Sequence, residues 1–175
     1  LLYEAATISK DSANYSEIKK LVTYSIEDLI AGLPIKFINN EVVKIDLING
    51  NIHCRSFAVT QEELKFDYLV LASGSEVNYF NIPGLAENSL TLKTFIDALK
   101  IRGKVLDLTP EKNDVRILIG GGGSSGVELA GELKKWLPKL NVTIIEASPT
   151  ILPGLDVQVI NKVEKRLKGL NVEII

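Results

Sequence analysis

Apolar and polar positions change period several times along the chain, and each change predicts an element. The pattern is most regular from 115 onward. Ile117-Leu118-Ile119 is a short continuous apolar run, as expected of a buried parallel strand. It leads into glycines at 120–123. Beyond them Val127, Ala130, Leu133 and Leu137 recur at helical spacing, which predicts a helix over 125–137 that Pro138 ends. A strand is predicted over 141–145, stopping at Glu146. Val157, Ile160, Val163 and Leu167 then predict a helix over 156–168, ended by Gly169, and 171–175 read as a further strand. Strands alternating with helices in this way predict a parallel sheet, with 115–120 as a central strand.

The stretch before 115 is less regular. Residues 1–14 are polar. Residues 15–31 fit one helix through Ile18, Leu21, Val22, Ile26, Leu29 and Ile30. They also fit a strand over 20–24 followed by a helix that Ser25 caps, with Asp28 at the capping-box position. The second reading is preferred, and Gly32 and Pro34 end the element in either. Short runs at 35–38, 41–46 and 51–57, with turn residues Asn39-Asn40 and Asn49-Gly50, predict a small antiparallel meander that 65–67 could extend. Tyr68-Leu69-Val70-Leu71-Ala72 is continuously apolar and predicts a central parallel strand. Residues 81–84 read as a loop. Thr91 is the expected cap of a helix running to Leu106, with Leu92, Phe95, Ile96, Leu99 and Leu106 facing inward. Residues 109–114 are polar and contain Pro110. They mark the best boundary, dividing 1–109 from 110–175.

The junction of strand and helix carries the candidate chemistry. Gly121-x-Gly123-x-x-Gly126 has the spacing of a dinucleotide fingerprint. The first glycine permits a tight turn, the second lets a pyrophosphate approach the backbone, and the third lets helix and sheet pack closely. The helix beginning near Ser124 and Ser125 would aim its free N–H groups and positive dipole end at the phosphates. Glu146 lies twenty residues past Gly126, where the fingerprint has a carboxylate for the ribose hydroxyls. An acid there repels a 2′-phosphate, and Ala147-Ser148-Pro149 offers no arginine to receive one. This favours NAD over NADP.

Bulk properties narrow the classes further. Charged residues are 24% and hydrophobic residues 46%, ordinary for a soluble globular chain. The formal charge of −2 gives no basic footprint for nucleic acid. No stretch is apolar enough to span a membrane, and no signal-peptide pattern is visible. The single cysteine, Cys54, excludes an internal disulfide and suits a reducing compartment such as the cytoplasm. It adjoins the only histidine, His53, but neighbours on a strand point to opposite faces, so the pair reads as structural. No metal-binding spacing is present. The first residues include no methionine and the end reads as a strand in mid-course, so the expectation is an internal piece of a longer protein.

Three motifs in order give a resemblance. They are Phe-Asp-Tyr-Leu-Val-Leu-Ala-Ser-Gly-Ser at 66–75, Ile82-Pro83-Gly84, and Gly-Val-Glu-Leu-Ala-Gly-Glu-Leu at 126–133. On these the chain resembles the pyridine nucleotide–disulfide oxidoreductase superfamily, flavoproteins with two dinucleotide sites. Within it the likeness is greatest to type II NADH dehydrogenases. Residues 1–6, Thr91-Leu92-Lys93 with Asp97-Ala98-Leu99, and Glu146-Ala147 with Ile151-Leu152-Pro153 carry the narrower match. Ser73 stands where threonine is usual, and Ser124-Ser125 where a proline or aromatic and a threonine are commoner. The resemblance implies an α/β fold. A Rossmann-like parallel βαβ unit, the first part of an NAD domain over 110–175, would join an incomplete FAD domain over 1–109 that holds the antiparallel meander.

The resemblance also implies roles. Gly121, Gly122, Gly123, Ser124, Ser125 and Gly126 would hold the NADH pyrophosphate and Glu146 its ribose. Ala72, Ser73 and Gly74 would line the FAD cleft. Glu128, expected in the first turn of the dinucleotide helix, is the candidate catalytic residue near the nicotinamide. Its other reading, complementing the helix dipole, stays open. The parent would pass a hydride from NADH to FAD and electrons on to a quinone, from the cytoplasm or peripherally on the cytoplasmic membrane. Any membrane contact would come from segments outside this chain. The piece alone would be inactive and would not retain FAD tightly. Alternatives are a sulfide:quinone, ferredoxin or nitrite reductase-type flavoprotein, or a noncatalytic NAD-binding sensor.

Overall fold

The computed structural model describes residues 19–20, 22–56, 61–108 and 115–175. Two compact units emerge, one of Tyr24–Asn78 and one of Leu1–Thr23 with Tyr79–Ile175. Residues 1–18, on which the amino-terminal motif and part of the 15–31 element fall, lie outside the described residues.

In the Tyr24–Asn78 unit, α1 (Ile26–Ile30) starts where the capping pattern placed it. The Ser25 hydroxyl accepts the Asp28 N–H at 3.0 Å. The strand expected just before it is not found. Residues 19, 20 and 22 are helical, and the Thr23 N–H and hydroxyl both reach the Lys19 carbonyl, at 3.0 and 2.7 Å. That i to i−4 closure is a helical turn, incompatible with extended backbone.

The meander is β1 (Glu41–Asp46), β2 (Asn51–Arg55) and β3 (Gln61–Lys65), antiparallel in that order. The first turn forms as predicted. The Asp46 carboxylate accepts the N–H groups of Ile48 and Asn49 at 3.1 and 3.0 Å, and Gly50 takes φ 66°. The third strand differs from expectation. Residues 35–38 form no strand, whereas 61–65, with Leu64 its only apolar residue, pairs along the whole of β2. Backbone pairing needs no apolar side chain, so hydrophobic pattern alone does not reveal such an edge strand.

The continuous run at 68–72 is not a strand either. Tyr68 is 95% exposed, Val70 85% and Leu71 71%. A strand exists through hydrogen bonds to a neighbour, and neither sheet of the described residues extends to this run.

In the second unit, α2 (Leu85–Asn88) is a short turn of helix after the 81–84 loop. Helix α3 (Phe95–Leu108) begins three residues later than the Thr91 cap predicts. Thr94 and Asp97 form the cap instead. The Thr94 hydroxyl accepts the Asp97 N–H at 3.2 Å and the Asp97 carboxylate accepts the Thr94 N–H at 2.9 Å. The buried residues are Ala98, Ile101, Arg102 and Val105; of the predicted set Leu92 packs on the core, Phe95, Leu99 and Leu106 are half-buried, and Ile96 is exposed.

The remainder follows the sequence reading closely. Strand β4 (Arg116–Gly120), α4 (Ser124–Trp136), β5 (Asn141–Ile145), α5 (Val157–Gly169) and β6 (Val172–Ile174) alternate. The strands are parallel in the order β4-β5-β6. The sheet is therefore the 3-2-1 half of a doubly wound fold. One expectation shifts: among the described residues β5 is the middle strand and β4 an edge, with Leu118 66% exposed. The core clusters between sheet and helices, with Ala130 and Ile144 fully enclosed and Leu133, Val142, Leu167 and Ile151 nearly so. Burying each large aliphatic side chain contributes about 1.5–3 kcal/mol. Lys134 ties the end of α4 to the start of β5, its buried Nζ donating to the carbonyls of Pro138 and Leu140 at 2.7 and 2.8 Å.

Candidate dinucleotide site

The C-terminal ends of β4 and β5 lie side by side, and the candidate residues meet there. The strand pairing carries on one step past β4, the Gly121 N–H donating to the Ile145 carbonyl at 2.8 Å. Gly121 then turns at φ 110°, a conformation closed to ordinary side chains. Next comes Gly122, buried, where the constraint is space. A Cβ there would stand 2.8 Å from the Ile151 Cγ2 and 3.2 Å from the Glu146 side chain. Gly123 is the N-cap of α4 and is exposed, with nothing within 4 Å of where its Cβ would be. At Gly126 a Cβ would fall on the Gly121 carbonyl oxygen. The structure thus gives separate reasons for glycine at 121, 122 and 126, and leaves open space above 123.

Helix α4 supplies donors to that space. Its first closed hydrogen bond runs from the Val127 N–H to the Gly123 carbonyl at 3.0 Å. The N–H groups of Ser124, Ser125 and Gly126 therefore lack acceptors within the helix. Both serines are exposed.

Glu146 follows directly on β5 and reaches back to the loop. One carboxylate oxygen accepts the Gly122 N–H at 2.6 Å, and the other accepts the Ser148 N–H at 2.7 Å. The bonds from Ser148 and then Gly122 hold its carboxyl below the usual carboxylate range. The Ser148 side chain and the Ala147 N–H lower it further, so this carboxylate is held ionised mainly by its own turn and by the loop. The sequence spacing located this acid. Its grip on the loop was not legible, because it depends on β4 and β5 pairing in register.

Glu128 is exposed and is the fifth residue of α4, one residue further in than expected and just past the first turn, which holds no acid. The helix therefore starts at Ser124, and a dipole role for Glu128 weakens accordingly, since that effect fades beyond the first turn. Ala72, Ser73 and Gly74 belong to the Tyr24–Asn78 unit. All three are exposed, and Gly74 takes φ 78°. Cys54 is buried in β2, a packing position. Among the described residues no group of three or more His, Cys, Asp or Glu could hold a metal.

Ile151 and Leu152 carry part of the family resemblance, but the sequence assigns them no role. Both are buried, and the Leu152 N–H donates to the Gly122 carbonyl at 2.8 Å. Their only signal was the Ile-Leu-Pro triplet itself.

Comparison with known proteins bears on the family and the fold. A probable mitochondrial NADH-ubiquinone oxidoreductase of Schizosaccharomyces pombe is 36% identical over 68% of this chain and 26% of its own length. A type II NADH:quinone oxidoreductase of Staphylococcus haemolyticus is 30% identical over 98% of this chain and 46% of its own. The chain thus spans between about a quarter and just under half of these curated relatives. Among solved structures, NDH2 of Plasmodium falciparum in complex with NADH superposes with a TM-score of 0.73 at 24% identity, covering 99% of this chain and 38% of that one. An NAD-dependent persulfide reductase of A. fulgidus gives 0.72 at 23%, over 99% and 31%. At these identities the two structures speak for the fold alone. The family model described as pyridine nucleotide-disulphide oxidoreductase matches residues 1–175, and the chain belongs to that family.

Proposed function

We propose that this chain carries the pyridine-nucleotide site of an FAD-dependent NADH:quinone oxidoreductase. The observation that carries the reading is the meeting of the Gly121–Gly126 loop, the first turn of α4 and Glu146 at the ends of two parallel strands. The relatives named as NADH:quinone and NADH-ubiquinone oxidoreductases support the choice of reaction.

The residues fit NADH. Open backbone at Gly123 and the N–H groups of Ser124, Ser125 and Gly126 would receive the pyrophosphate, and the ionised Glu146 carboxylate would accept from the ribose hydroxyls. Ala72, Ser73 and Gly74 would contribute backbone to the FAD side. When bound, NADH supplies a hydride and FAD accepts it. The chain's own part is to bind, orient and set the electrostatics. Glu128 would serve the reaction by orienting the carboxamide or relaying a proton. Residues 110–175 would form the N-terminal part of the NAD(H) domain and 1–109 a portion of the FAD domain. Quinone would be the acceptor of the whole protein. No helix among the described residues is long and apolar enough to cross a membrane.

The test is nucleotide choice. Titration of the chain with NADH and NADPH should show tighter NADH binding. Glu146→Ala should weaken NADH by roughly tenfold or more and narrow the gap, because a bond to a charged acceptor is lost along with repulsion of a 2′-phosphate. Equal affinity for the two nucleotides in the unaltered chain would sink the reading.

A further inference from the structure

The connection between β5 and α5 contains Ile151-Leu152-Pro153-Gly154-Leu155, which no part of the fingerprint accounts for. Ile151 is 1% exposed, and its Cγ2 lies 2.8 Å from where a Cβ on Gly122 would stand. Leu152 takes φ 51°, a left-handed conformation uncommon for a branched side chain. That conformation is held by its side chain, 7% exposed, and by the Leu155 N–H, which closes a turn on the Leu152 carbonyl at 3.1 Å. The Leu152 N–H donates to the Gly122 carbonyl at 2.8 Å.

The direction of that carbonyl has a consequence one bond further on. The Gly122–Gly123 peptide is planar and trans, so its C=O and N–H point in opposite directions. Holding the Gly122 carbonyl on Leu152 aims the Gly123 N–H the other way, away from the β5–α5 connection. Gly123 itself is exposed. Meanwhile the preceding peptide is fixed by the Gly122 N–H on Glu146, at 2.6 Å. Two successive peptides of a glycine run, the most pliant backbone available, are thereby locked from outside the run.

We infer that Ile151 and Leu152 are positioning residues for the dinucleotide: Leu152 through its main-chain N–H and Ile151 through the methyl packed on Gly122 fix the loop so that the Gly123 N–H faces the pyrophosphate. The inference rests on the NADH reading above. It assigns a task to a segment outside the glycine fingerprint.

The test is a double-mutant cycle between Gly122 and Ile151. Ile151→Leu removes the Cγ2 methyl while conserving volume, and volume-conserving swaps leave most cores folded. Ile151→Val keeps that methyl. NADH affinity is measured by fluorescence titration of the whole chain, with melting followed in parallel. Gly122→Ala should bind NADH about tenfold or more weakly, since small misplacements of binding groups cost up to about a hundredfold. Ile151→Leu should weaken binding by a lesser factor, and Ile151→Val should leave it unchanged. The double variant Gly122→Ala with Ile151→Leu should bind more tightly than Gly122→Ala alone, a recovery that general loss of stability cannot produce. Affinities that do not differ among these proteins, or a double variant no tighter than Gly122→Ala, would overturn the inference while leaving the NADH reading intact. An unaltered chain that binds no NADH would overturn both. Should Gly122→Ala fail to fold, amide exchange decides. The Leu152 N–H should be protected in the unaltered chain and exchange faster in Ile151→Leu, whereas equal exchange in the two overturns the inference.

Discussion

The carboxylate of Glu146 is gripped by main-chain donors from two separate places, Ser148 just beyond it and Gly122 across the strand pair. Both bonds favour the ionised form, so the folded chain holds the carboxyl below its ordinary value of 4.5. The sign of the pH effect follows. The unfolded chain takes up a proton first as pH falls, so the stabilisation is complete above about 4.5 and is lost as pH drops through the lower folded value. The Gly122 amide resonance should therefore titrate with a midpoint below 4.5, and NADH affinity should decline over the same range. A midpoint at or above 4.5 would mean that the clamp does not exist in solution. Among the described residues Asp46 and Asp97 are lowered too, by bonds from Asn49 and from Thr94 respectively, so acid melting of the whole chain does not report on Glu146 alone. The Gly122 amide reports on the one that matters for the site.

Helix α4 contains two glycines with opposite predicted responses to the same substitution. At Gly126 an added Cβ would land on the Gly121 carbonyl oxygen, backbone that cannot swing aside. At Gly131 it would meet nothing within 4 Å. Gly126→Ala should destabilise by about 1–3 kcal/mol, as overpacking does, despite the better helix propensity of alanine. Gly131→Ala should stabilise by about 0.5–1 kcal/mol. Thermal or urea melting of the two variants checks both signs, and only Gly126→Ala should also weaken NADH. The elements of this part of the chain were legible because each carries its own signal and its partners follow in sequence: Ile117-Leu118-Ile119, the Val127–Leu137 stripe, Pro138, Gly169. Elsewhere that condition fails. Tyr68–Ala72 has the composition of a central strand but no neighbouring strand among the described residues, while Gln61–Lys65 lacks the composition but has β2 to pair with. The start of α3 is ambiguous in sequence because Thr91 and Thr94 are both good caps, and only Asp97 at the capping-box distance from Thr94 decides between them.

At the scale of the whole molecule, the two units differ in what holds them. Among the described residues of the larger unit a continuous apolar core runs from Ile101 to Val172. In that smaller unit Cys54 is the one fully buried apolar side chain among the described residues, while Val42, Val43, Leu47, Ile48, Tyr68, Val70 and Leu71 are exposed. The meander keeps its shape through ladder bonds, the Asp46 turn and the pairing of Arg55 with Glu41 at 2.7 Å. Exposed ion pairs of this kind contribute about 0–1 kcal/mol. Three strands need an apolar face covered to be independently stable, and this sheet has little of one. The units should therefore open separately. On heating, the signals of β1–β3 should be lost before those of β4–β6. In native-state hydrogen exchange the amides of β5, which sit between two strands and over the core, should reach the protection of global unfolding, with those of β2 exchanging through a smaller opening. A single transition with equal protection in β2 and β5 would contradict this. It would mean that the exposed apolar side chains of the Tyr24–Asn78 unit are covered in solution, and that the stability of the meander has a source other than its own hydrogen bonds.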